Sequence, residues 1–264
     1  MPVPALSPEP PQSALHRLAT NRRASAGLVL LAAMALAALA APLLPSGLPN
    51  WAAEQPANDP VVATLVEARG SLSFALLAGL LGAAVGIGWA VLAVFLGRQA
   101  ERSMMRLAER LAGTPLVLAV LLLSGLSDRS AVVLSLAVAL STAPVVAGMA
   151  QAELRALMRR EFLVAARANG LDEQTVFRRH LLPNALWSLA AAGWLALPRA
   201  LAAECFASLL GLGLQQGGSW GGAVAAALER GDAVAALLPV VLLAATLWAL
   251  GAVGDGLRAA GKVP

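Results

Sequence analysis

Two ionisable side chains interrupt a long apolar run, and they are well placed to act on a polar solute. Arg199 and Glu204 lie within residues 185–214, which are mostly apolar. Charged groups are costly in lipid and usually face protein, water or a substrate path. They are five residues apart, about 140° around a helix, so they do not form a pair on one face. We assign Arg199, Glu204 and Ser208 to a translocation pathway or gate, with structural pairing to another helix as the alternative.

The sequence offers no arrangement of groups for covalent chemistry. It has no Gly-x-x-x-x-Gly-Lys-Ser/Thr loop that could cradle a nucleotide phosphate. Its two histidines, His16 and His180, are far apart. Its single cysteine, Cys205, lies in an apolar run, where packing is the expected role. No cluster of histidine, cysteine and carboxylate has metal-site spacing. The chain is therefore predicted not to be an enzyme and to hold no metal or cofactor of its own.

The composition identifies the chain as an integral membrane protein. Of its 264 residues, 59% are hydrophobic and 13% are charged, whereas soluble domains are about 45–50% apolar and about 25% charged. The formal net charge is +4. This charge does not indicate nucleic-acid binding, because the basic residues flank apolar runs, where membrane orientation alone places them.

Six apolar runs approach the length of about 20 residues that a membrane span requires. After a flexible tail at 1–25, the predicted spans lie near residues 26–44, 72–96, 111–126, 131–150, 185–208 and 233–254. The third run is slightly short, and the fifth apolar run continues to Leu214, so its end could be bent or re-entrant. The first run could be a cleaved signal, but the long polar stretch before it favours an uncleaved helix. Gly82 and Gly86, four residues apart, predict close helix packing.

Basic residues concentrate on one side of these spans. Fifteen of the 19 lysines and arginines fall in the N-terminal tail, in residues 97–110 and 151–184, or after the last span. Only Arg69, Arg129 and Arg230 fall on the other side. The positive-inside rule then places both termini and the 151–184 loop in the cytoplasm. An even number of spans agrees with this orientation.

Residues 161–184 form a charged segment between two spans, and their pattern predicts two short helices. Residues 163–169 can form two helical turns, and Gly170 can adopt the positive φ that ends a helix. Asp172 is a suitable N-cap for the second helix. Three residues are predicted to share one face of that helix: Val176, Phe177 and His180. One interpretation is an amphipathic hairpin resting on lipid headgroups, and the other is a docking element for a soluble partner.

The segment resembles the EAA loop of permease subunits in binding-protein-dependent ABC importers. The shared pattern is Ala165-Ala166, then Gly170, then Leu182-Pro183. Four later motifs resemble the permease C group of the dipeptide, oligopeptide and nickel importers: Ala203-Glu204, Ser208 to Gly213, Ser219-Trp220-Gly221 and Gly254 to Arg258. The resemblance covers nearly the whole chain, with these motifs in the right order.

This resemblance implies an all-α type I ABC importer permease with about six spans in the bacterial inner membrane. It implies four kinds of neighbour: a homologous second permease, cytoplasmic ATPase subunits that use ATP and magnesium, an extracytoplasmic solute-binding protein, and membrane lipid. The chain would form half of a path for peptides, or for nickel or another chelated metal. The resemblance places ATPase coupling on residues of the loop: Glu161, Ala165, Ala166, Arg167, Gly170, His180, Leu182 and Pro183.

The sequence departs from the resembled group in a few places. Val164 replaces the glutamate that opens the EAA motif, so the ATPase contact would differ and could use Glu161 or Arg167. Only residues 46–69 separate the first two spans, without the usual Gly-Thr-Asp and Gly-Arg-Asp signatures, which implies a reduced extracytoplasmic vestibule. The alternative functions are a self-sufficient, ion-coupled secondary carrier, for which the sequence shows no convincing internal repeat, and a membrane scaffold without transport activity.

Overall fold

The computed structural model describes residues 14–40, 60–114, 131–161, 163, 170–213 and 218–261. These parts of the chain are helical and contain no β-strand. The helices are α1 (Ala14–Thr20), α2 (Arg22–Ala40), α3 (Pro60–Phe95), α4 (Arg98–Ala112), α5 (Ala131–Met158), α6 (Glu173–Thr175), α7 (Leu182–Trp194), α8 (Ala196–Leu209), α9 (Trp220–Glu229) and α10 (Ala233–Gly261), with a π-helical turn, Val176–Leu181, between α6 and α7.

Five helical stretches in the described parts are apolar and long enough to cross a membrane. They are Arg22–Ala40, Ala63–Phe95, Ala131–Met158, Glu173–Leu209 and Ala233–Gly261. Each corresponds to one predicted span. The remaining predicted span, 111–126, lies largely outside the described residues, so the count of six stays a prediction.

The helices extend beyond the apolar runs that predicted them. α3 begins at Pro60 rather than near residue 72, and α5 continues to Met158, so the loop predicted over 151–184 is shorter. The prediction of a flexible tail at 1–25 is wrong for α1 and the start of α2, which are helical. An apolar run marks the part of a helix that faces lipid or protein, whereas charged residues such as arginine and glutamate continue a helix readily.

α3 and α5 lie side by side and run in the same direction. Gly82 lies against Ala139, and further along Gly86 lies against Val146. A Cβ added at Gly82 would stand 3.2 Å from the Ala139 carbonyl oxygen, and one at Gly86 would stand 2.7 Å from the Val146 Cβ. Glycine therefore allows the two backbones to approach closely, and the packing face predicted from the sequence is confirmed.

α7 and α8 run antiparallel to α3. Leu189 of α7 packs in one cluster with Ala90, and Leu197 of α8 lies against Gly79. α10 runs antiparallel to α7 and α8. The Trp194 indole N–H joins α7 to α10 by donating to the Leu250 carbonyl at 2.8 Å.

α2 packs against α10 and runs antiparallel to it. Gly27 lies against Val253, and the Thr246 hydroxyl lies 3.2 Å from the Met34 sulfur. At the end of α2, the Arg69 guanidinium of α3 donates to the carbonyls of Ala38 and Leu39, at 2.6 and 3.1 Å. These bonds satisfy terminal carbonyls that have no partner within α2.

These directions bring one set of helix ends together, and we call this the basic end. It comprises the last turns of α3, α5 and α10, the first turns of α2 and α7, and α4. Its arginines include Arg22, Arg23, Arg98, Arg155, Arg178, Arg179 and Arg258. Arg69 and Arg230 lie towards the opposite end. The charge asymmetry in the sequence therefore corresponds to one end of a folded bundle.

The long fifth apolar run is broken in its middle, between α7 and α8. Pro198 lacks the N–H that would bond to the Trp194 carbonyl, and its ring would clash with that carbonyl in a continuous helix. The break falls at Leu195. The sequence predicted a bend at the end of the run, and there the chain turns at Gly211, with a φ of 72°, before α9.

Candidate functional site

The segment 170–183 is anchored on one side in the hydrophobic core of the basic end. Val176 and Leu181 are 1% and 2% exposed. They pack in one cluster with Val94 of α3, Leu154 of α5 and Leu163. Burying side chains of this size stabilises the fold by about 1.5–3 kcal/mol each. A force applied to the segment would therefore reach the ends of the two long helices α3 and α5, and the start of α7, directly.

Two polar features set the local path of this segment. Gly170 has a φ of 80°, a conformation that glycine adopts at low cost. The Thr175 N–H donates to Asp172 Oδ2 at 3.0 Å, so Asp172 caps the helix that follows. Hydrogen bonds from the Thr175 side chain and backbone lower the pKa of Asp172 below its usual value. Both local predictions, the positive φ at Gly170 and the N-cap at Asp172, are confirmed.

The turn that leads into α7 is π-helical. The Leu182 N–H bonds to the Phe177 carbonyl, five residues back. Pro183 has no N–H to donate to the carbonyl four residues earlier, and its ring would clash with that carbonyl in a regular helix. The wider π-helical turn accommodates the proline. The wider spacing changes which residues face inward. The prediction placed Val176, Phe177 and His180 on one face; in the structure Val176 and Leu181 are buried, whereas Phe177 and His180 are half-buried.

The other side of the segment is open. Its exposed residues are Gly170, Leu171, Asp172, Glu173, Gln174, Arg178, Arg179 and Pro183. Leu171 is 40% exposed at the tip. Among the residues predicted to couple to an ATPase, Glu161 and Pro183 are exposed and Leu182 is half-buried. Ala165, Ala166 and Arg167 lie outside the described residues.

A second polar site surrounds Glu204, at the opposite end of the bundle. This side chain is completely buried. Its Oε1 accepts hydrogen bonds from the hydroxyls of Ser208 and Ser219, both at 2.7 Å. Ser219 is also the N-cap of α9, and its hydroxyl accepts from the Gly222 N–H at 3.1 Å. The geometry shows the structural pairing that the sequence left open for Glu204, here with the start of α9.

The start of α9 is also bonded to α3. The Trp220 backbone N–H donates to the Ser71 hydroxyl at 2.9 Å, and its indole N–H donates to the Thr64 carbonyl at 2.9 Å. Trp220 and Ser71 are completely buried. Ser71 lies inside α3, eleven residues after its start. Sequence reasoning missed this contact because it joins residues 149 positions apart.

Arg199 lies on a different face of α8 from Glu204. It is exposed, as is Phe206 further along the helix, whereas Glu204 and Ser208 are buried. The expectation that Arg199 and Glu204 do not pair along one helix is confirmed. The structure therefore separates the three predicted pathway residues into a buried pair that holds α9 and one arginine on an open apolar surface.

Comparison with known proteins places this arrangement among transport proteins. Residues 63–260 match the family model described as binding-protein-dependent transport system inner membrane component. Residues 10–60 match the model of the N-terminal TM domain of oligopeptide transport permease C.

Curated relatives match over almost the full chain. The oligopeptide transport system permease protein OppC of Bacillus subtilis is 26% identical, covering 94% of this chain and 87% of the relative. The dipeptide transport system permease protein DppC of the same organism is 27% identical, with coverages of 94% and 83%. The Escherichia coli (strain K12) OppC is 28% identical, with coverages of 94% and 89%.

A solved structure shares the fold. A chain from inward-facing conformations of the MetNI methionine ABC transporter superposes with a TM-score of 0.65. The match covers 78% of this chain and 99% of that chain, at 18% identity. The similarity supports the all-α, type I permease fold.

Proposed function

The chain belongs to the family of binding-protein-dependent transport system inner membrane components, and on that premise we propose that it is the peptide-translocating permease of an ATP-driven importer. It is a multi-pass inner membrane protein and a transport subunit. ATP and magnesium would be used by separate ATPase subunits. Peptides are the favoured cargo because the curated relatives are oligopeptide and dipeptide permeases, whereas nickel or another chelated metal is the lesser alternative.

The observation that carries this proposal is the two-sided construction of segment 170–183. Val176 and Leu181 fix one side in the core, while Leu171, Arg178 and Arg179 remain exposed on the other. An ATPase subunit bound to the exposed side would move the ends of α3, α5 and α7 together. Such a rigid-body movement, biased by a ligand at either end, switches a transporter between inward-open and outward-open states.

The open face of α8 supports a shared translocation path. Arg199 lies ten residues before the end of α8, about 15 Å along the helix axis, within an apolar stretch. A charged group at such a depth faces protein or water rather than lipid. We therefore place a second, homologous permease across this face, with Arg199 on the path or its wall. Solute would arrive on a binding protein at the end that carries Glu204 and α9.

The same proposal sets the orientation of the chain. The basic end, with segment 170–183, would face the cytoplasm, together with both termini. An ion-coupled secondary carrier is not favoured, because the matched family model and the relatives belong to binding-protein-dependent systems.

Reconstitution in proteoliposomes tests the function. The chain would be combined with a second permease, ATPase subunits and a solute-binding protein. We expect uptake of a labelled peptide that requires ATP and the binding protein. Uptake by this chain alone, driven by a proton or sodium gradient, would contradict the proposal. Uptake of a nickel chelate but not of peptides would support the importer function and contradict the proposal that its cargo is a peptide.

A further inference from the structure

A groove of about 1050 Å³ opens at the basic end, between α4 and the last turns of α3 and α5. Part of its lining is apolar and comes from Val94, Phe95, Met105 and Met158. The apolar lining is continuous with an open surface on α3, since Leu92, Phe95 and Leu96 are 49%, 44% and 56% exposed. An apolar chain could therefore pass from the lipid-facing surface of α3 into the groove.

The same groove is strongly cationic. Five arginines line it, namely Arg98, Arg102, Arg106, Arg155 and Arg159, against three acidic residues, Glu101, Glu109 and Glu173. Glu101 is already engaged: it is 5% exposed, forms an ion pair with Arg155, and accepts a hydrogen bond from the Gln151 amide. The groove therefore retains an excess of positive charge.

Three of these arginines have no acidic partner among the described residues. Arg98, Arg102 and Arg159 form no ion pair within the described ranges. Arg98 and Arg159 also lie close enough to Arg155 to repel its charge. Positive groups held this close together are stabilised by an anion, and guanidinium groups bind phosphate oxygens in a bidentate geometry.

We propose that this groove binds the phosphate headgroup of an anionic phospholipid from the leaflet at the basic end. The arginines would hold the phosphate, and the apolar lining beside Phe95 would receive the first part of an acyl chain. Basic pockets between membrane helices bind acidic headgroups in this way. The amphipathic helix α4 presents Leu107 and Leu111, 50% and 41% exposed, in keeping with a position at the membrane surface. This inference goes beyond import and does not depend on the cargo.

The apolar lining of the groove favours a phospholipid over two other anionic occupants, inorganic phosphate and an acidic protein surface. Inorganic phosphate would use the arginines but gain nothing from Phe95 and Met158. An acidic surface of an ATPase subunit would also satisfy the arginines. A phospholipid uses both kinds of lining, and the groove adjoins the exposed apolar surface of α3.

Native mass spectrometry of the purified full-length chain tests this binding by titration with phosphatidylglycerol. Two triple variants remove equal charge from the basic end. One is Arg98→Gln, Arg102→Gln and Arg159→Gln in the groove, and the other is Arg22→Gln, Arg23→Gln and Arg110→Gln outside it. Because the groove triple removes the guanidinium groups that would hold the phosphate, whereas the outside triple removes only general attraction to an anionic surface, we expect the groove triple to weaken the first bound lipid at least about tenfold. The outside triple should stay within about twofold of the wild type.

Competition on the wild-type chain supplies a test that needs no variant. Phosphatidylcholine should fail to displace phosphatidylglycerol, and millimolar inorganic phosphate should displace little of it. Equal losses in the two triples, full displacement by phosphatidylcholine, or full displacement by phosphate would each overturn the proposal. Displacement of the lipid by the bound ATPase subunits would overturn it in favour of a protein contact. All of the replaced arginines are exposed, and the contacts of Glu101 with Arg155 and Gln151 are left intact, so both triples should fold.

Discussion

The Ser219 hydroxyl donates a 2.7 Å hydrogen bond to Glu204 Oε1, and this bond joins the N-cap residue of α9 to α8. The carboxylate also lies near the N-terminus of α9, where the helix dipole favours negative charge. With Trp220 bonded to Ser71 of α3, the start of α9 is held from two sides.

Glu204→Ala should destabilise the protein. The substitution leaves the Ser208 and Ser219 hydroxyls buried without their acceptor, which costs roughly 1–3 kcal/mol per group. Glu204→Gln keeps one acceptor oxygen and should lose less. Thermal unfolding in detergent checks this ranking. A Gln variant as unstable as the Ala variant would show that the charge, rather than the hydrogen-bond acceptor, stabilises α9.

Gly86→Ala should loosen the contact between α3 and α5. The added methyl group would stand 2.7 Å from the Val146 Cβ, and overpacking of this kind typically costs about 1–3 kcal/mol. Gly88→Ala is the matched control, because a Cβ there meets nothing within 4 Å. The midpoint of thermal unfolding should fall for Gly86→Ala alone. Equal behaviour of the two variants would contradict the parallel packing of these helices.

Leu181→Ala and His180→Ala distinguish the π-helical turn from a regular helix. Leu181 is 2% exposed, so its truncation should cost about 2–5 kcal/mol, whereas the half-buried His180 should cost much less. In a regular α-helix, His180 would instead share a face with the buried Val176, four residues earlier. Chemical denaturation of both variants measures the difference. A larger loss at His180 than at Leu181 would reject the π-helical turn.

Gly170→Ala should strain the start of the segment. Its φ of 80° is a left-handed conformation that costs other residues roughly 1–2 kcal/mol. Gly148→Ala serves as the control, since Gly148 is in α5 and has open space around it. Hydrogen exchange should show faster local opening of residues 171–175 in Gly170→Ala only. Unchanged exchange would mean that the turn does not depend on glycine.

The features that could be predicted from sequence are local ones. The Gly82 and Gly86 spacing, the cap at Asp172 and the positive φ at Gly170 each follow from a few neighbouring residues. The gathering of arginines at one end follows from the order of apolar runs. These features can be predicted because they depend on local backbone geometry and on the position of charged residues relative to the membrane spans.

The features that could not be predicted depend on contacts between distant residues or on competing local preferences. One partner of Glu204, Ser219, is the N-cap of α9, a ten-residue helix that is apolar but too short to be predicted as a membrane span. The Trp220 bond to Ser71 joins residues 149 positions apart. Pro198 and Pro183 each disfavour a regular helix, but the sequence does not show that one breaks the helix at Leu195 and the other is accommodated by a π-helical turn.

The central claim is that segment 170–183 is where a separate ATPase subunit acts on this chain, and site-directed cross-linking tests it most directly. Cys205 is the single cysteine of the sequence, so a Cys205→Ser background allows one new cysteine at a time. Leu171→Cys probes the exposed tip, and Arg230→Cys probes an exposed site at the opposite end. With the ATPase present in the membrane, we predict a cross-link at position 171 that responds to ATP, and none at position 230. Absence of a cross-link at position 171 with and without ATP, or labelling of that position only from outside the cell, would contradict the account.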